Sequence, residues 1–402
     1  MHRLLRRRLT ALSVFALGAS LLCVETAIRA QASVTVIQMA ASLHVLALLS
    51  DGSVVGWGEN RSGQLGLAEP STIAVPRRIP LPRKAIGIAV NTEASYAVLD
   101  DGTVMAWGRD YEGQLGTRTF GDERGLKMPT PERVHGLTRI IQVVAEDKGA
   151  VALRDDGTVM QWGNHSNGMY VDREYKADAF EPTVVRGVAD AIEVTFNGDT
   201  GFARLKDGRV MGWGYNDAGQ LGLGEATDGR HAPVEIPALK GARAIVSGGA
   251  SVVVKADGTV WAWGSNVQGG FGNGKRAGTS GESTTVPQQV PGVANVVALK
   301  RGTFGRHFIA LLADHTLVGW GNSDWGQLGA GVIGNDQPTP RPIKLAGVDA
   351  YWLGGNYSFA RTTDDALWFW GEQKGAQPIL GPTLKNQALP VRLPLDAILQ
   401  AK

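Results

Sequence analysis

The 402-residue chain has a single cysteine, Cys23, and none beyond it. That excludes disulfides, thiol catalysis and cysteine-held zinc from everything after the N-terminal segment. A dominant charge is missing as well. Five Arg and one Glu fall in the first 32 residues, which leaves 35 basic and 37 acidic residues in the remainder. No basic stripe is left, so nucleic-acid binding is not expected. The apolar run Leu9 to Val24, at 16 residues, is short for a bilayer. Metal and nucleophile patterns are absent too. His44, His135, His165, His231, His307 and His315 are scattered, with no H-x-x-x-H pair and no carboxylate at ligand spacing. Gly278-Thr279-Ser280-Gly281 lacks the G-x-S-x-G frame of a nucleophile elbow. Neither a catalytic site nor a cofactor or metal is expected.

The N-terminus reads as an address. Arg3, Arg6, Arg7 and Arg8 precede the apolar run, and Ala30-Gln31-Ala32 offers a small-residue cleavage site before Ser33. Residues 1–32 are therefore expected to be a signal peptide, and 33–402 a secreted or periplasmic chain with no membrane attachment. An uncleaved N-terminal anchor is the alternative, and Arg6-Arg7-Arg8-Leu9 leaves the twin-arginine route open.

What the chain does have is glycine, 54 residues of it, and one recurring phrase. "DGTVMAWGRDYEGQLG" stands at residues 101–116, and variants of it carry Trp57, Trp107, Trp162, Trp213, Trp263, Trp320 and Trp370, at intervals of 50 to 57 residues. A period of this size with strand signals predicts a propeller or solenoid. Each unit reads as four short strands. In the second unit these begin at Ala85, Tyr96, Val104 and a Pro-led Pro131, and Asp101-Gly102 is read as a type I′ hairpin turn. Pro at a strand start marks that strand as outermost. The third strand is apolar on both faces, so the repeated Trp is expected to be core, packed blade against blade. The small residues before it, Gly56, Ala106, Gly212, Ala262 and Gly319, are expected to make room for the neighbouring Trp. Seven complete units predict an all-β, seven-bladed ring, with an open solenoid as the alternative.

The repeat resembles that of the regulator of chromosome condensation family over nearly all of 34–395. The carriers are the copies of D-G-x-V-x-x-W-G with the following G-Q-L-G. Unit three departs at Gly168-Met169-Tyr170, and unit seven at Asp365-Ala366 and Gln377-Pro378-Ile379-Leu380. The resemblance implies a seven-bladed β-propeller. Its members include nuclear guanine-nucleotide exchange factors and secreted bacterial propellers, one of which inhibits β-lactamases. With a signal peptide in front, the secreted branch is the closer likeness, and no nucleotide-displacing hairpin can be matched onto this chain.

Residues repeated in every unit do one structural job seven times, so a site must lie in what varies. The loops after each Trp-Gly share one face with the loops between strands one and two. The candidates for partner binding there are Arg61, Arg109, Asp110, Tyr111, His165, Tyr215, Asp217, Asp324, Trp325 and Tyr357. Glu146 and Arg301 are placed on the same face. Large aromatics beside Arg are the usual anchors of protein interfaces. The expected function is a monomeric, non-catalytic scaffold that binds a protein through this face, with enzyme inhibition as one form of it. Carbohydrate or cell-wall binding is the alternative, and nucleotide exchange a third reading that needs the leader retained.

Overall fold

Every repeat folds into the same antiparallel meander, and the reason lies in its alternation of apolar strands with Asp-Gly turns. The computed structural model describes residues 34–69, 71–117, 127–147, 149–163, 179–275, 282–303, 306–373 and 385–401. Residues 1–32, expected to be the leader, and His165 lie outside them. Seven four-stranded sheets result, each taking its strands from one continuous segment. Blade 2 is representative: Ala85–Val90, Ala94–Leu99, Val104–Arg109 and Lys127–Arg133.

The first strands line the centre. They are Val36–Ala41, Ala85–Val90, Ile140–Glu146, Ala191–Phe196, Ala244–Val246, Val296–Arg301 and Val348–Leu353. Each touches the next, and the last touches the first, which closes the ring. The protein is thus a seven-bladed β-propeller. Blade 7 meets blade 1 through side chains rather than through a shared sheet. Arg361 Nη1 donates to the Val36 carbonyl at 2.8 Å, and Thr303 of blade 6 donates to the Ala41 carbonyl at 3.0 Å. The short helix Asp396–Leu399, with Ile398 buried, sits on the outer strand of blade 1, Ile73–Arg78.

The fourth strands are outermost, as Pro predicts, but they start earlier than the Pro. Lys127–Arg133 contains both Pro129 and Pro131. On an edge strand alternate N–H groups face away from the sheet, so Pro there removes no ladder bond. The hairpin turns also differ from the type I′ expectation. Gly102 N donates to the Leu99 carbonyl at 2.9 Å and Leu99 N to the Thr103 carbonyl at 2.8 Å. Gly102 alone in that turn has positive φ, at 75°. This is a type I turn closed by a left-handed bulge residue, one of the common longer hairpin connections. His315 and Asp365 hold the same left-handed position in blades 6 and 7, with φ of 65° and 62°. Asp101 Oδ1 accepts from Thr103 Oγ1 at 2.7 Å and from Thr103 N at 3.0 Å, which holds its carboxyl below the usual range.

The core lies between blades rather than within them. Separate apolar clusters join blades 1 and 2 around Trp107, 2 and 3 around Trp162, 3 and 4 around Trp213, and so on to Trp370. All seven repeat Trp residues are fully buried. What makes room for each Trp is a correction to the sequence reading. A Cβ on Gly56 would meet Leu46, Leu65 and Ile79, and one on Gly212 would meet Ile236, Leu221 and Phe202. These are neighbours in the same blade. The incoming indole lies instead on the last Gly of G-Q-L-G in the preceding blade: a Cβ on Gly116 would stand 2.9 Å from Trp162 Cδ1, and one on Gly222 2.9 Å from Trp263 Nε1. The same loop supplies the acceptor. Trp107 Nε1 donates to the Gln64 carbonyl at 2.9 Å, Trp162 to Gln114 at 2.8 Å, Trp263 to Gln220 at 2.7 Å and Trp370 to Gln327 at 2.9 Å. Trp-Gly and Gly-Gln-Leu-Gly are therefore two halves of one inter-blade joint.

Candidate functional site on the loop face

The constant Gln also fixes the loop that displays the variable residues. Its side-chain Oε1 accepts the backbone N–H two residues earlier: Ser62 to Gln64 at 2.8 Å, Glu112 to Gln114 at 2.8 Å, Ala218 to Gln220 at 2.9 Å and Trp325 to Gln327 at 2.9 Å. A second tie comes from the residue after Trp-Gly-x. Asn60 Oδ1 accepts Leu65 N at 2.8 Å, and Asp110 Oδ1 accepts Leu115 N at 2.9 Å. Asn216 does the same for Leu221 and Asn266 for Phe271, both at 2.9 Å. A rigid frame thus presents a short stretch of free sequence on each of these blades.

This geometry sorts the candidates. Tyr111 is 45% exposed, and the Arg109 guanidinium stands 4.3 Å from its ring centroid while pairing with Glu93. Trp325 is 41% exposed and flanks a cleft of about 580 Å3 with Ile333, Glu372, Gln373, Lys385 and Asn386. Tyr215 is half-buried, and the adjacent Asp217 carboxylate raises its hydroxyl above the usual tyrosine range. Asp217 is exposed and accepts from Gln220 Nε2 at 3.0 Å. Asp324 is exposed and accepts from Asn322 Nδ2 at 2.8 Å. Arg61 is exposed, 3.6 Å from Glu59.

Two candidates are corrected. Asp110 is buried at 1% exposure, because it holds its own loop as Asn60 and Asn216 hold theirs. Tyr357 is buried too, its ring against Phe359 and Phe369 and its hydroxyl donating to the Ser42 carbonyl of blade 1. It opens a second strand where blades 1 and 6 have His44 and His307, and it works as a seam residue.

Those two histidines each meet a serine. His44 Nε2 lies 2.6 Å from Ser95 Oγ, and His307 Nε2 lies 3.5 Å from Ser358 Oγ. Both pairs are fully buried, and each Ser donates to a Gln carbonyl, at 2.7 Å for Ser95 and 2.9 Å for Ser358. Among the described residues neither His Nδ1 has a hydrogen-bond partner, so no described group orients the ring as the third member of a nucleophilic triad does. Burial holds both imidazoles neutral, with pKa values lowered to about 3.

Sequence reasoning placed Glu146 and Arg301 on this face without joining them. Arg301 Nη2 lies 2.7 Å from Glu146 Oε2, both nearly buried, and the same nitrogen donates to the Phe196 carbonyl at 3.3 Å. Blade 6 thus reaches across the central channel to blades 3 and 4. Their separation of 155 residues left no local signal for the pair.

The fold and this face define a class: a ring of blades built on one repeated meander, with differing loops displayed on one face. Residues 18–355 match the family model described as RCC1-like domain, and the chain belongs to that family. The ultraviolet-B receptor UVR8 of Arabidopsis thaliana is 28% identical over 361 residues, covering 86% of this chain and 78% of that one. The human E3 ubiquitin-protein ligase HERC2 is 27% identical over 346 residues, which cover 81% of this chain and only 7% of that much longer protein. Among solved structures, Prp20p from Saccharomyces cerevisiae superposes with a TM-score of 0.68 at 22% identity, over 82% of this chain and 84% of its own. That structure's description concerns binding of Prp20p to Gsp1p and histones.

Proposed function

We propose that the chain is a protein-binding propeller that takes its partner on the loop face, with Arg109, Tyr111, Tyr215, Asp217, Asp324 and Trp325 as contacts. The observation that carries this reading is the exposure of Tyr111 and Trp325 on loops whose backbones are pinned by a constant Gln. Rigid display of a large aromatic lowers the ordering cost of binding. The stated binding properties of Prp20p support a protein as partner. The leader pattern favours an exported protein, and inhibition of an extracellular enzyme is the form of binding that fits export best.

The test is affinity capture from periplasm or culture supernatant, with a Tyr111→Ala/Tyr215→Ala/Trp325→Ala variant beside the wild type. A protein retained by wild type and lost by the equally folded variant supports the reading. Retention of the same protein by both removes these residues from the site. The cleft beside Trp325, where an indole meets Glu372, Gln373 and Asn386, favours polysaccharide as the second reading. Retention on insoluble polysaccharide, abolished by Trp325→Ala, would select it.

A further inference from the structure

The far end of the channel holds a different kind of feature. In most blades the first strand carries a bulge at its second residue, seen as the register shifts around Ile37, Ile86, Ile192, Val297 and Asp349. A bulge re-aims the side chain it carries. Ile37, Ile86, Ile141, Ile192 and Val297 are about half exposed as a result, a ring of aliphatic side chains at the start of the central strands.

Behind part of that ring lies a cavity of about 380 Å3, within the size range of small-molecule sites. Ile37, Ile86, Leu48, Leu311 and Trp352 give it apolar walls. Its polar lining is nearly all engaged. Gln38 exchanges hydrogen bonds with the Ile88 backbone at 2.9 and 3.1 Å. Asp349 takes a two-pronged ion pair from Arg361, at 2.7 and 3.1 Å. Lys300 is the exception. Its ammonium donates to the Tyr351 carbonyl at 2.6 Å and lies 5.0 Å and 5.8 Å from the rings of Tyr351 and Trp352. One bond uses one of its three donors. No carboxylate among the described residues pairs with it.

We propose that this cavity binds a small amphiphilic monoanion, with the anionic head on the Lys300 ammonium and the apolar body against Ile37, Ile86 and Trp352. A neutral apolar ligand would leave the ammonium without a counter-charge, and a dianion would bring an unmatched charge into apolar walls. Burial has already lowered the Lys300 pKa to about 8, so an anion supplies what the site lacks. The site is separate from the loop-face reading, and either can fail without the other.

The probe is 8-anilinonaphthalene-1-sulfonate, followed by fluorescence on the purified protein. The expected result is one saturable site, displaced by decanoate at concentrations where decanol has no effect. Lys300→Met should weaken binding about tenfold or more, since a charge-assisted bond is lost. Lys255→Met, which removes another cation beside a Trp at 4.1 Å, should change it less than about twofold. Absence of a saturable site, displacement by decanol as readily as by decanoate, failure of decanoate to displace, or undiminished binding by Lys300→Met would overturn the proposal. Should Lys300→Met not fold, the decanoate and decanol arms on the wild type decide alone.

Discussion

The joint between blades 2 and 3 and the joint between blades 3 and 4 are built from equivalent strands and differ in the sequence of one loop. Blade 2 follows its third strand with a loop that carries Gly-Gln-Leu-Gly. There the Gln114 carbonyl accepts from Trp162 Nε1, and Gly116 lets the indole lie flat against the backbone. Blade 3 has Gly-Met-Tyr-Val at the corresponding place in the sequence, and Trp213, across that joint, is buried with no acceptor for its Nε1 among the described residues. The apolar half of the joint survives, since Trp213 still packs with Val151, Val185, Val194 and Phe196. Burial holds the blades together, and the loop phrase adds direction. A buried donor left unpaired costs about 1–3 kcal/mol, so on the described contacts alone the 3–4 joint is the weaker one.

Truncation should hide this difference, because it removes what the two joints share. Trp162→Ala and Trp213→Ala should each cost about 3–5 kcal/mol in chemical denaturation; a loss below 1 kcal/mol at either would show that the inter-blade cores do not carry the fold. Acid should act on two other joints, 1–2 and 6–7. His44 and His307 are neutral in the folded protein, with pKa values near 3 against 6.5 when unfolded. As pH falls below about 6.5 the unfolded chain takes up protons that the folded one refuses. Stability should then drop by about 1.4 kcal/mol per pH unit for each His until pH nears 3, and be unaffected above pH 7. Both histidines sit at joints that keep the Gln phrase, so His44→Gln should halve the slope. The finest test of the comparison is Trp→Phe. At Trp162 it should cost about 1–2 kcal/mol more than at Trp213, whose Nε1 has no acceptor among the described residues. Equal costs would mean that the Gln114 bond is energetically idle. Smallest of all, Tyr111→Ala should move stability by less than about 0.5 kcal/mol, as expected for an exposed loop residue.

The same comparison shows how far sequence could lead. The repeated Trp and its apolar neighbours fix strand, face and ring, because period-two burial is a local property. The partner of Gln-Leu-Gly was hidden, since a backbone carbonyl accepts from a Trp more than forty residues away in the next blade. Asp110 was readable: it holds the position of Asn60 and Asn216, and its charge drew attention from its place in the repeat. Tyr357 was readable in the same way beside His44 and His307. Lys300 left no signal, because a single lysine in an apolar strand looks ordinary until the ring closes around it.

Every sheet is complete within its own stretch of chain, and blade 7 meets blade 1 through Arg361, Tyr357 and the seated helix at Ile398. The order in which blades are written is therefore separable from the ring they form. A circular permutant joining the end of blade 7 to Val36 and opening at the crossing after Val134 would cut no sheet. Lost or duplicated repeats should likewise alter the ring's blade number before they damage any blade, which makes this a scaffold that can be re-sequenced by whole units.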